Sequence, residues 1–123
     1  MSASVAETEA DDLVVVLVSA DWAGPSRPAP TVLRELGRRW GEGRRTLLIE
    51  DPDDAVLDQL QVNVLPTWLL CAPGEGPQTI PELSGTTGSG EDVVWEGPWQ
   101  ALRRRDGALP KHAVDAEFGP GAA

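Results

Sequence analysis

Residues 13–40 read LVVVLVSADWAGPSRPAPTVLRELGRRW, and a change of period inside this stretch decides the fold. Leu13 to Ser19 is a β-branched run bounded by the turn-prone Asp21 to Pro25, the pattern of a strand buried on both faces. From Ala29 to Trp40 the period becomes helical: Val32, Leu33, Leu36 and Trp40 share one face, while Arg34, Glu35, Arg38 and Arg39 lie mostly on the other. Pro25 and Pro28 suit the approach to this helix and its first turn, and Gly41 or Gly43 can end it.

The alternation continues downstream. Thr46 to Glu50 reads as a second buried strand, and Asp51-Pro52-Asp53-Asp54 starts a helix over Ala55 to Gln61. Strand, helix, strand, helix implies parallel pairing through a right-handed crossover. Val62 to Pro66 leads into a third strand, Thr67 to Cys71. Residues 72–92, dense in Gly, Pro, Ser and Thr, read as a long loop with an extended piece at Gln78 to Leu83. Val93 to Trp95 and Trp99 to Arg104 read as strand segments around a Glu96-Gly97-Pro98 turn. Asp106-Gly107 turns the chain once more before a last helix, Leu109 to Phe118. The expected organisation is an irregular N-terminus over 1–12, one domain over 13–118 and a frayed tail over 119–123.

Length and composition narrow the function classes. A chain of 123 residues supports one core. The longest apolar run, Leu13 to Val18, is far short of the roughly 20 residues a membrane span needs, and residues 1–12 carry neither the basic nor the apolar region of a secretory signal. A cytoplasmic setting is expected, in keeping with a single cysteine, Cys71. Twenty acidic against ten basic residues, net −10, argue against nucleic acid and membrane as partners. Arginines nevertheless cluster at 34, 38, 39, 44 and 45 and again at 103–105, as solvated surface or as a patch for an acidic partner.

Three local motifs, set in this order of elements, make the chain resemble the thioredoxin family. Trp22-Ala23-Gly24-Pro25-Ser26-Arg27 is similar to that family's Trp-Cys-Gly-Pro-Cys-Lys loop, with both sulfur positions altered. Leu65-Pro66-Thr67 is similar to its Ile-Pro-Thr segment, where the proline is cis, and Gly107-Ala108-Leu109 to its Gly-Ala-Leu turn. The resemblance implies a three-layer α/β/α fold with a mixed central sheet, lacking the family's full N-terminal strand-helix unit.

It also implies which positions have lost chemistry. The attacking thiolate would sit at a helix N-terminus, whose dipole and free amides lower a thiol's pKa; here Ala23 stands there, and Ser26 replaces the resolving cysteine. The buried carboxylate beneath the pair falls on Leu17, and the lysine coupled to it on Leu47. No catalytic residue is assigned, and disulfide exchange through residues 23–26 is excluded. What the resemblance retains is a binding groove of Trp22, Gly24, Pro25, Leu65, Pro66 and Gly107. There the backbone of Leu65 would pair with an extended segment. The expected function is a redox-inactive module binding a protein or peptide segment of basic character, in an assembly or chaperone-like role. The competing expectation is a thiol-disulfide oxidoreductase of cell redox homeostasis, acting through Cys71 or through cysteines that a parent sequence carries at positions 23 and 26.

The remaining chemistry-bearing residues have simpler readings. Cys71 in TWLLC reads as a small core residue. His112 has no partner at metal-ligand spacing, so no metal or cofactor is assigned. A helix N-terminus near Ser26, helped by Arg27, offers an anion site, although a serine there more often caps the helix. Asp51, Asp53 and Asp54 suit helix capping. Trp40 is expected in the core, whereas Trp68, Trp95 and Trp99 divide between core and an exposed contact surface.

Overall fold

The computed structural model describes residues 13–24, 27–76 and 79–120. Five strands and three helices follow in order: β1 (Val14–Ser19), α1 (Ala29–Trp40), β2 (Arg45–Glu50), α2 (Asp54–Leu60), β3 (Thr67–Pro73), β4 (Thr79–Thr87), β5 (Asp92–Asp106) and α3 (Lys111–Phe118). A short 3₁₀ turn, Gly41–Gly43, joins α1 to β2.

β1 is central and buried along its whole length. Helix α1 carries the chain back over the sheet, so β2 pairs parallel to β1, with Val14 opposite Arg45 and Ser19 opposite Glu50. β3 runs antiparallel along the other side of β1, β5 lies beside β3, and β4 lies beside β5. The sheet is therefore mixed.

Because successive side chains point to opposite faces, this sheet divides the apolar residues into two cores. Val15 and Leu17 of β1 join Trp68 and Leu70 of β3 beneath α1 and α3, with Leu33, Leu36, Trp40, Val114 and Phe118. Val14, Val16 and Val18 face the opposite core, with Leu47, Leu69, Cys71, Leu60 of α2, and Ile80, Leu83 and Trp99 from the β4–β5 hairpin. Helices α1 and α3 thus cover one face of the sheet, and α2 together with the β4–β5 hairpin covers the other. Helix α1 has no side-chain cap; Pro28 precedes it and proline occupies its first turn, where a missing N–H costs nothing. Its far end is fixed to α3: Trp40 Nε1 donates to Asp115 Oδ1 at 2.7 Å, and Lys111 Nζ meets Glu35 at 2.6 Å.

Residues 72–92 are more regular than the long loop expected of them, in which only Gln78 to Leu83 reads as extended. Thr79–Thr87 is a nine-residue strand, and Asp92–Asp106 is one continuous strand of 15 residues rather than two segments about a turn. The punctuating residues bend the hairpin without breaking it. Pro81, which has no N–H to give, falls at a register shift between Ile80 and Glu82. Opposite it, a Cβ on Gly97 would lie 2.6 Å from Pro81 O.

The bent hairpin curls round until β4 reaches the free edge of β2, pairing Leu47 with Thr87 and Leu48 with Thr86. The five strands thereby close into a barrel in the order β1-β2-β4-β5-β3. Closure depends on Gly85, where a Cβ would lie 2.4 Å from Leu48 O. The other end of the domain also runs farther than expected. Gly119 is buried, its carbonyl accepts from the Arg44 guanidinium, and Pro120 packs against Gly43, so the ordered structure continues past Phe118.

Candidate functional site

The register places three chain ends together. Thr67, at the start of β3, pairs with Val18 near the end of β1 and with Asp106 at the end of β5. The segments 20–24, 61–66 and 107–110 therefore emerge at one end of the sheet. The turn after β2 joins them, since Asp51 N donates to Ser19 O at 2.8 Å and Asp21 N to Asp51 Oδ1 at 3.0 Å.

The segment after β1 is held by its own backbone. Ala23 N donates to Ala20 O at 3.1 Å and Arg27 N to Gly24 O at 3.2 Å, while Arg27 Nε reaches Asp21 O at 3.1 Å. These bonds leave the Trp22 side chain outside, 69% exposed. Gly24 is exposed and Ala23 half-buried; Pro25 and Ser26 lie outside the described residues.

On the facing segment the Leu65–Pro66 peptide is cis. Pro66 is buried, and its carbonyl accepts from Gly107 N at 2.7 Å, which joins two of the residues expected to line the groove. Thr67 Oγ1 fixes the approach by donating to Val64 O at 2.5 Å and lying 3.3 Å from Asp106 Oδ1. Leu65 packs its side chain against the core shared with Leu69 and Cys71. Its own backbone N–H and C=O take up no hydrogen bond among the described residues. Val64, beside it, is 45% exposed. Trp22 and Val64 are thus large apolar side chains left in solvent at this end, among the exposed carboxylates of Asp21, Asp51, Asp53 and Asp106. Three of these carboxylates serve the fold: Asp51 as above, Asp53 by accepting from Val56 N at 3.0 Å as the cap of α2, and Asp106 by accepting from Thr67 Oγ1.

Leu17 and Leu47 are both fully buried but lie in different cores, on opposite faces of the sheet. The strand register sets Leu17 beside Leu48 and Trp68 instead. Trp68 belongs wholly to the core, as does Trp99, while Trp95 is half-buried under the Arg45 guanidinium; these three form no exposed aromatic surface. The Trp68 indole lies 6.5 Å from the Phe118 ring, and its fully buried Nε1 has no acceptor among the described residues. The sequence leaves this role open between core and surface, although strict alternation from Thr67 puts Trp68 on the face that carries Leu70.

Three comparisons with known proteins bear on this geometry. No family model matches the chain, and no curated protein does. Among solved structures, chloroplastic thioredoxin z is 19% identical over 93% of this chain and 84% of its own, with a TM-score of 0.56. Thioredoxin f2 of Chlamydomonas reinhardtii is 18% identical over 93% and 83%, with a TM-score of 0.55. The germline-specific thioredoxin Deadhead of Drosophila melanogaster is 15% identical over 90% and 81%, with a TM-score of 0.51. This chain has the thioredoxin fold.

In this thioredoxin-like domain the sulfur chemistry is displaced from the site. No residue of the 20–28 segment carries sulfur. Cys71, the chain's one cysteine, lies four residues along β3 from Thr67, roughly 13 Å at strand rise. Its side chain is fully buried, and burial pushes the thiol up to about 12 against the opposing charge of Arg104. At neutral pH it is a protonated core residue, not a nucleophile. His112 is exposed on α3, and among the described residues no cluster of His, Cys, Asp or Glu is placed to hold a metal ion. None of the described helices is long and apolar enough to cross a membrane.

Proposed function

We propose that this thioredoxin-like domain is a redox-inactive module that docks an extended protein segment at the sheet end formed by Trp22, Leu65 and Gly107, in an assembly or chaperone-like role. The observation that carries the reading is the separation of thiol from site: the sole sulfhydryl is sealed in the core with its pKa raised to about 12, while the site presents a bare backbone edge and an exposed indole. A backbone edge with free donor and acceptor pairs with any extended chain, and flanking apolar side chains add area to the contact. Trp22 supplies that area at low entropic cost, as aromatic anchors do at hot spots.

The partner we propose is a segment of basic character. The rim of the site is acidic, from Asp21, Asp51, Asp53 and Asp106, and the chain as a whole carries −10, so a cationic segment is steered toward it. A contact of this size gives micromolar affinity. We place the protein in the cytoplasm.

A photocrosslinker in place of Trp22 tests the reading, with the same group in place of Val94 on β5 as a control position. The Trp22 position should capture a distinct set of chains in cell extract, and Leu65→Asp in that background should abolish the capture. Identical capture from both positions, or capture indifferent to Leu65→Asp, would overturn the proposal.

A further inference from the structure

A concave site lies away from the docking end, between α1 and the turn that joins β4 to β5. It is an open cleft of about 400 Å³. Thr46 of β2 forms its floor. The cleft exists because glycines border that floor: a Cβ on Gly37 of α1 would lie 3.5 Å from Thr46 Oγ1, and one on Gly88 of the hairpin turn 3.2 Å from it.

Its charge is opposite to that of the protein. Arg34, Arg38, Arg44 and Arg45 all line the cleft, and none of its described lining residues is acidic, although acids outnumber bases twofold in the chain. Arg34 and Arg38 are exposed, stand one turn apart on α1, and make no ion pair with a described residue. Like charges so spaced repel and weaken a helix. Glu35, the carboxylate nearest Arg38 in sequence, is ion-paired with Lys111, with Arg38 a lesser charge beside it. On the other side, Thr87 and Ser89 bring their hydroxyls to 3.0 Å of one another, and the Arg45 guanidinium lies 5.1 Å above the Trp95 ring.

The geometry points to an anion site for a compact phosphorylated molecule, with Arg34 and Arg38 on the phosphate oxygens and Trp95 with Arg45 flanking the remainder. Guanidinium forks from a rigid helix match the several acceptor oxygens of a phosphate, and hydroxyls from the facing turn complete the donor set. The volume is that of a small-molecule site. A nucleic acid chain is disfavoured by the overall charge of −10.

Titration calorimetry with ADP, with inorganic pyrophosphate and with adenosine as the uncharged control tests the assignment. ADP or pyrophosphate should bind saturably at one site, and adenosine should not. Tighter binding of ADP than of pyrophosphate identifies a nucleotide resting on Trp95, whereas equal affinities identify the phosphate chain alone; both support the site. Arg34→Gln and Arg38→Gln should each weaken binding about ten-fold, with the circular dichroism spectrum unchanged, while Trp22→Ser should leave binding intact. No saturable heat with either phosphate at millimolar concentration, or undiminished binding by the doubly substituted chain, would overturn the inference.

Discussion

Replacing Gly85 with alanine is expected to open the barrel. The added Cβ would stand 2.4 Å from Leu48 O, 3.1 Å from Leu48 C and 3.2 Å from Ile49 Cγ1, where Cβ contacts stay beyond 3.0 Å. The obstacle is backbone, so no side chain can swing aside; β4 must withdraw from β2 by at least 0.6 Å. The seam it would leave is short, joining Leu47 to Thr87 and Leu48 to Thr86. Overpacking of this kind costs about 1–3 kcal/mol, and each weakened backbone hydrogen bond adds about 1 kcal/mol. A loss of about 3 kcal/mol follows, equivalent in a domain of this size to a fall in Tm of roughly 10 °C. Urea unfolding followed by tryptophan fluorescence measures it. Gly24→Ala, where a Cβ meets nothing within 4 Å, is the matched control and should stay within about 0.5 kcal/mol of the parent. A Gly85→Ala chain as stable as the Gly24→Ala chain would refute the closure of the barrel by β4.

Two further substitutions test the core and its thiol. Burial raises the Cys71 pKa from 9.0 to about 12, so the folded chain keeps a proton that the unfolded chain releases. That contribution to stability is complete below pH 9 and declines as pH rises toward about 12, by up to about 1.4 kcal/mol per pH unit. Cys71→Ala should flatten this alkaline decline, as read from urea midpoints across pH 8–11, and an unchanged slope would mean that another group titrates. Trp68 fills the core beside Leu17 with an indole N–H that finds no acceptor among the described residues. Trp68→Phe removes that unpaired donor and should cost less than about 1.5 kcal/mol, against about 3–5 kcal/mol for Trp68→Ala; equal losses in the two variants would show that the donor is satisfied in solution.

Local signals carried most of the architecture. Helix α1 was legible to the residue because its apolar face, its prolines and Gly41 all agree, and β1 because six consecutive buried positions admit no polar residue before Ser19. The Asp53 cap marked the start of α2 within one residue. What escaped was non-local. Only the extended piece at Gln78 to Leu83 hints at the strand Thr79–Thr87, since Pro81 and Gly85 are turn residues by local propensity; they are tolerated because one falls at a register shift and the other where β4 crosses β2. Gly97 and Pro98 misled in the same way, bending a single strand where they read as a reversal.

The site divided along the same line. Trp22 and the Leu65-Pro66-Thr67 segment were recognisable by motif, and the Pro66–Gly107 hydrogen bond brings two such segments together. Leu17 and Leu47 could be matched by counting, but their placement on opposite faces depends on strand parity that a count does not resolve. The arginine cleft was visible only as a cluster in sequence, because its walls come from α1 and from a hairpin turn more than 40 residues away.

The claim on which the rest stands is that no accessible thiol serves the docking end. Reduction of insulin by dithiothreitol, followed by turbidity with and without the protein, addresses it most directly. The account predicts that the chain leaves the rate at its no-protein value; acceleration that disappears in Cys71→Ser would contradict it.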